Sequence, residues 1–226
     1  MAGIDSYTKL LLHCDGADAS ITFIDSATGK TVTAIGNAQI DTAQYKFGGA
    51  SALFDGTGDG LTTPNHADFD FGSGDFTIDY WFRAATLGST MIFTSKGVWP
   101  PSPPFVIFSD SAYYYFKSSD GSSWETMAFI LSGNISINNW YHIAVVRYGN
   151  LWNLYLNGVS KSSITSSLTL MTNTDTFAVG NSSNQAHALN GWIDEFRVSK
   201  GIARWTANFT PPTEAYSRPS AFFPFL

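Results

Sequence analysis

Carboxylates are the first groups in this chain that could do chemistry. Its only glutamates are Glu125, Glu195 and Glu214. Retaining glycoside hydrolysis needs two carboxyl groups about 5 Å apart across the scissile bond, and no stretch carries the Glu-x-Asp-x-Glu spacing that would place them so on one strand face. Asp194 and Glu195 are adjacent, so regular strand alternation turns them to opposite faces. No Gly-x-Ser-x-Gly elbow is present, Cys14 has no convincing histidine context, and His13, His66, His142 and His187 are spread along the chain without metal-ligand spacing. The expectation is a protein that is not an enzyme. The run Asp55-Gly56-Thr57-Gly58-Asp59-Gly60 has the look of a cation loop but lacks the full twelve-residue pattern, and reads as a tight turn carrying solvated charge.

Recognition of a sugar needs an aromatic platform for the apolar face of the ring and polar groups for its hydroxyls. Trp81, with Asp79 and Arg83 on the same strand face, supplies both. Asn153, Tyr155 and Asn157 alternate along a second strand and extend the platform if the two strands lie close. Tyr113, Tyr114 and Tyr115 add aromatic surface. The competing role for every one of these aromatics is filling the core of a sandwich or stiffening a sheet face. At the end of the chain, Phe222, Phe223, Phe225 and Leu226 follow prolines that bar them from a central strand. That apolar tail is expected to pack on its own domain or, preferentially, on a partner: another copy or a neighbouring protein.

The elements that must position these groups are strands. A composition of 44% hydrophobic and 13% charged residues is too apolar for a disordered chain. At 226 residues an all-β chain can be one domain, large enough to bury its core without a disulfide or metal. Residues 76–83 alternate, with Phe76, Ile78, Tyr80 and Phe82 forming the core face. Residues 141–147 and 151–156 flank a Gly149-Asn150 turn and are closed by Asn157-Gly158, which predicts an antiparallel hairpin. Further strands are expected over 9–13, 50–54, 90–95, 105–109, 113–117, 126–131, 162–166, 176–179 and 191–198, and one helical turn over 201–205. The fold class is therefore all-β, two packed antiparallel sheets. With no linker or composition shift, the chain divides into one domain, 1–216, and the tail, 217–226.

The formal charge of −6 arises without any clustered Lys or Arg, which argues against nucleic acid and against anionic membranes as partners. No run is long enough to insert in a membrane. The lone Cys14 excludes an intrachain disulfide and reads as a buried thiol. Residues 1–5 lack a basic leader, so the general secretion route is not expected, and the glycosylation sequons at Asn134, Asn181 and Asn208 are assigned no function.

Six segments, 10–16, 46–56, 76–82, 140–147, 154–158 and 191–198, together resemble the laminin G-like, concanavalin A-like jelly-roll family. The resemblance covers residues 9 to 212. The close, 201–205 followed by Phe209-Thr210-Pro211-Pro212, is similar to phage-associated members. It implies a jelly-roll sandwich and, since this fold hosts many activities, a function that must be argued from sites. It also implies a Ca2+ ion between the first strands and the last, which would fall on Asp15, the carbonyl near Gly49, and Asp194. Trp192 and Asp194 share one face of their strand. The function expected is a non-enzymatic binding and structural module on a virion surface, made in the host cytoplasm, contacting other virion proteins and a cell-surface glycan. The alternatives are an extracellular bacterial glycan-binding protein and a glycoside hydrolase.

Overall fold

The computed structural model describes residues 3–99 and 103–217; the tail residues Phe222, Phe223, Phe225 and Leu226 lie outside the described residues. Two antiparallel sheets account for the structure. The larger has eight strands: in spatial order β13 (Val159–Thr165), β12 (Leu151–Leu156), β11 (Trp140–Tyr148), β6 (Phe76–Ala84), β15 (Asn190–Lys200), β4 (Ser51–Asp55) and β3 (Gln39–Asp41), with β1 (Thr8–Leu12) also paired to β15. The smaller has seven: β10 (Trp124–Ile130), β9 (Tyr113–Ser119), β8 (Phe105–Ser109), β7 (Met91–Lys96), β14 (Phe177–Val179), β5 (Gly60–Thr63) and β2 (Thr33–Ile35). The one described helix is a 3-10 turn, Ala67–Phe69, and no helix is long and apolar enough to cross a membrane.

Alternation builds the core as expected. Phe76, Ile78, Tyr80 and Phe82 of β6 face Phe105 and Ile107 of β8 and Tyr114 and Phe116 of β9 across the sandwich, all essentially without solvent exposure. Deep in this layer the hydroxyls of Tyr80 and Tyr114 hydrogen-bond to each other, so neither buried phenol is left without a partner. The hairpin of β11 and β12 forms in the expected register, with Tyr148 opposite Leu151.

Strand β15 changes neighbours along one edge. Asn190 to Ile193 pair with β4, whereas Phe196 to Ser199 pair with β1. At the joint, the register with β6 shifts between Asp194 and Arg197, and Glu195 takes a positive φ of 51°. This bulge breaks the alternation on which the sequence reading of Asp194 and Glu195 rested. Both carboxylates fall on the outer face of the larger sheet: Asp194 pairs with Trp81, and Glu195 accepts a hydrogen bond from the Tyr216 backbone N–H on that face.

The outer face is not bare. The segment 202–217 crosses it, and Trp205, stacked on Phe209 at 4.0 Å, forms a second apolar cluster with Ala144, Val146 and Tyr155. The helical turn expected over 201–205 does not form. Gly201 has a φ of 84°, and from there the segment lies across the sheet to bury Trp205. The short strands β2, β3 and β5 were not foreseen. Asp59 is also not solvated: it is buried and its carboxylate accepts the backbone N–H groups of Asn37 and Asp55, stapling the β4–β5 turn.

Candidate functional site

The platform expected around Trp81 is covered. Trp81 is only 6% exposed, with Phe47 edge-on at 5.9 Å, His142 at 5.2 Å and the Lys46 ammonium 4.0 Å over its ring. Asp79 has no solvent exposure and is held by Arg197, while Tyr155 lies beneath Phe209 and Asn153 is buried. Asn157 is exposed, and its side-chain oxygen accepts the His142 backbone N–H. An aromatic outer face has apolar area to bury, and the chain covers it from two places: Lys46 and Phe47 lie over Trp81, and the 202–217 segment lies over Asp79 and Tyr155. Of the expected set only Arg83 and Asn157 reach solvent.

Beneath that segment lies a polar network. Arg197 donates from Nε to Asp79 Oδ1 and from Nη2 to Asp79 Oδ2, and Tyr216 donates its hydroxyl to the same Oδ2. Burial alone would raise the Asp79 pKa; the Arg197 charge, helped by His142, overrides it and holds the group at about 2. His142 is wholly buried among Trp81, Trp205 and Phe209, and burial lowers its pKa. Neither imidazole nitrogen has a hydrogen-bond partner among the described residues, with Nε2 3.7 Å from Asp79 Oδ2.

Of the residues expected to hold Ca2+, Asp15 lies beside Gly48 and its charge acts on Asp194. Between β4 and β1, where β15 bulges, the end of β1 brings in His13, Cys14 and Asp15, and the turn before β4 brings in Gly48 and Gly49. The Asp15 carboxylate lies so close to Gly48 that a Cβ there would stand 2.0 Å from its Oδ1. Asp194 accepts the backbone N–H groups of Lys46 (2.8 Å) and Phe47 (2.9 Å) on Oδ2, while its buried Oδ1 has no partner among the described residues. Burial pushes Asp194 up to about 7 against those two hydrogen bonds, and the charges of Glu195 and Asp15 add to the rise. Glu195 is engaged by His13 Nδ1 at 2.7 Å, which raises the His13 pKa against the opposing effect of burial. Cys14 is buried, and burial raises its thiol well above the usual range. No cluster of three or more metal-binding side chains occurs among the described residues. A hard cation takes carboxylate and carbonyl oxygens, and an orphaned buried carboxylate oxygen beside a glycine turn and an exposed second carboxylate fits one.

The open aromatic surface is on the other sheet. Alternation in β8 and β9 turns Phe108, Tyr113 and Tyr115 away from the core. There Trp99 lies 4.8 Å from Phe108, Phe108 stacks on Tyr115 at 4.6 Å, and Tyr115 neighbours Tyr113 at 5.8 Å. Exposure grows along the row, from 4% at Phe108 to 42% at Tyr113. Tyr115 donates its hydroxyl to Asp110 at 2.9 Å, and Lys117 sits 5.6 Å over both Phe108 and Tyr115. His187 contacts the Trp99 ring at 5.8 Å and also lines a polar groove of about 430 Å³ at the end of the sandwich, with Asp55, Thr57, Ser89, Gln185 and Asn190. An aromatic row running to a groove rich in hydroxyls and amides is what an oligosaccharide requires. The Tyr113-Tyr114-Tyr115 run signalled part of this row; Phe108 joins it through its pairing with Tyr115, and Trp99 from the loop after β7, neither of which the sequence displays.

The profile of the concanavalin A-like lectin/glucanases superfamily matches residues 55–204. No curated protein matches the chain. Among solved structures, the chain is similar to the binding domain of botulinum neurotoxin DC in complex with SialylT (TM-score 0.66, 17% identity, 87% of this chain and 49% of that one). It is equally similar to a botulinum neurotoxin type C structure concerned with cell entry through two ganglioside molecules (TM-score 0.66, 17% identity, 88% and 49%). The binding domain of serotype D matches with a TM-score of 0.67, 16% identity, 88% and 50%. The chain spans about half the length of these structures, and at this identity the likeness is one of fold.

Proposed function

We propose a glycan-binding function without catalysis, proceeding from the fact that the chain belongs to the concanavalin A-like lectin/glucanases superfamily. The observation that carries it is the ring row from Trp99 to Tyr113, buried at Phe108 and open at Tyr115 and Tyr113, continuous through His187 with the polar groove. A pyranose stacks on Tyr115 and Tyr113 while Lys117, Asp110 and the groove side chains take its hydroxyls. The fold likeness to binding domains solved with SialylT, or concerned with gangliosides, agrees with a glycan ligand, and the choice of a glycan rests on the aromatic row and groove. The adjacent carboxylates Asp194 and Glu195 are buried and hydrogen-bonded inside the protein, which favours binding over glycoside hydrolysis.

Calcium belongs to the same proposal as a structural ion. Asp15, Asp194 and the carbonyl near Gly49 would hold it, and it would supply the positive charge that the buried Asp194 lacks. The setting is a virion surface, supported by the phage-like close of the sequence at 201–212. There the apolar residues Phe222, Phe223, Phe225 and Leu226 would hold the module to another copy or a neighbouring protein. A glycan array with the full chain tests the central reading: binding that Tyr115→Ala removes supports it, and a blank array at high protein concentration overturns it.

A further inference from the structure

On the outer face of the larger sheet, beyond the stretch crossed by 202–217, one transverse row is half-open. Strand registers put Gln39 opposite Leu53, Leu53 opposite Trp192, Trp192 opposite Arg83 and Arg83 opposite Trp140. All five are partly exposed. At the usual strand spacing the row is about 19 Å long. At its centre the Arg83 guanidinium lies 5.3 Å from the Trp192 ring. Its Nε is buried and has no hydrogen-bond partner among the described residues, and Arg83 makes no ion pair there. The acids on this face do not serve it: Asp194, diagonal to Arg83 in the register, accepts the Lys46 and Phe47 backbone N–H groups and forms no ion pair with Arg83 among the described residues, and Asp41 is likewise engaged. Asp41 accepts the Trp192 indole N–H at 2.6 Å on Oδ2 and the Ala43 backbone N–H at 2.8 Å on Oδ1. In a chain of net charge −6, an uncompensated guanidinium between two tryptophans is out of place as a purely structural feature. Burying a donor without an acceptor is costly, and an arginine fork is matched by a carboxylate in two-pronged geometry.

We propose that Trp192, Arg83 and Trp140 form a second binding site, for a carboxylate-bearing sugar. A tryptophan takes the apolar face of the ring and the Arg83 fork takes the carboxylate, each group supplying what the other cannot. The site stands apart from the aromatic row of the smaller sheet and does not depend on it.

The test is calorimetric titration of the full chain with glucuronate, with glucose and acetate as the neutral-sugar and bare-anion controls. Glucuronate binds, and glucose and acetate bind at least about ten-fold more weakly, because each lacks one of the two contacts. Arg83→Gln weakens glucuronate by a similar factor, Trp192→Phe weakens it less than Trp192→Ala, and Tyr115→Ala leaves it unchanged. Thermal melts show which variants are folded, and Arg83→Lys, which keeps the charge without the fork, gives an intermediate affinity. Equal binding of glucose and glucuronate, equal binding of acetate, or an unaltered affinity in folded Arg83→Gln overturns the proposal. Loss of binding in Tyr115→Ala alone also overturns it, by moving the site to the other sheet.

Discussion

Asp79 and Arg197 stand 118 residues apart in sequence and face each other on neighbouring strands, joined by two hydrogen bonds of 2.9 and 3.1 Å with neither side chain exposed. The pair is the anchor beneath which the chain's last described segment is fastened, since Tyr216 donates to the same carboxylate and Arg197 also donates from Nη1 to the Gly3 carbonyl. Removing one partner strands the other charge in the interior. Arg197→Met is expected to destabilise the fold by about 3–5 kcal/mol, measured by urea denaturation. A loss below about 1 kcal/mol, the range of surface pairs, would contradict the buried ion pair.

The same pair sets an acid limit. Asp79 is held at about 2, below the 3.8 of an unperturbed aspartate. Its contribution is therefore complete above that unfolded value and is lost as pH falls through 2, amounting to about 2 kcal/mol. Stability measured from pH 5 down to pH 2 should fall along this course. In Asp79→Asn that part of the slope disappears.

A calcium ion held by Asp15 and Asp194, as proposed, would stabilise the folded state by mass action. The melting temperature is expected to rise with added Ca2+ and to drop in chelator. Asp15→Asn should abolish most of the response without unfolding the protein, because Asp15 is exposed. Identical melting curves in calcium and chelator rule the ion out.

Trp81 and Tyr113 separate core from ligand. Trp81→Ala empties a buried site and should cost about 3–5 kcal/mol, with glycan affinity preserved in the folded fraction. Tyr113, 42% exposed, should behave in reverse: Tyr113→Ala leaves denaturation unchanged and weakens glycan binding on the array. A stable Trp81→Ala that loses binding reverses this assignment.

Much of the sandwich could be read from alternation and turns, because period-2 patterning and pairs such as Gly149-Asn150 are local signals. Strands β2, β3 and β5, three or four residues each, are too short to display a period, and they lack the wholly apolar run Phe177-Ala178-Val179 that marks the equally short β14. The sheet faces were harder. Trp81, Asp79 and Arg83 do share the face opposite the core, as their spacing requires, but alternation assigns a face and not what lies over it. The cover is Lys46 and Phe47 over Trp81 and Tyr216 over Asp79, all remote in sequence. Asp15 and Asp194, singled out by the family resemblance, lie near enough for the Asp15 charge to act on Asp194. Their neighbour Glu195 joined them on the same face only because the bulge at the β4–β1 joint suspends alternation, and that joint is a property of strand order.

Gly3 and Ser217 are in contact, the Ile4 backbone N–H bonding the Ser217 carbonyl at 3.1 Å and no room remaining at Gly3 for even a methyl group. The two ends of the described chain thus meet, beside Arg197 of the larger sheet, whereas the ring row of Trp99, Phe108, Tyr115 and Tyr113 lies on the smaller sheet. Ends in contact are the geometry that circular permutation requires: residue 217 could be joined to residue 3 through a short linker with the strand order and the aromatic row of the smaller sheet left as they are.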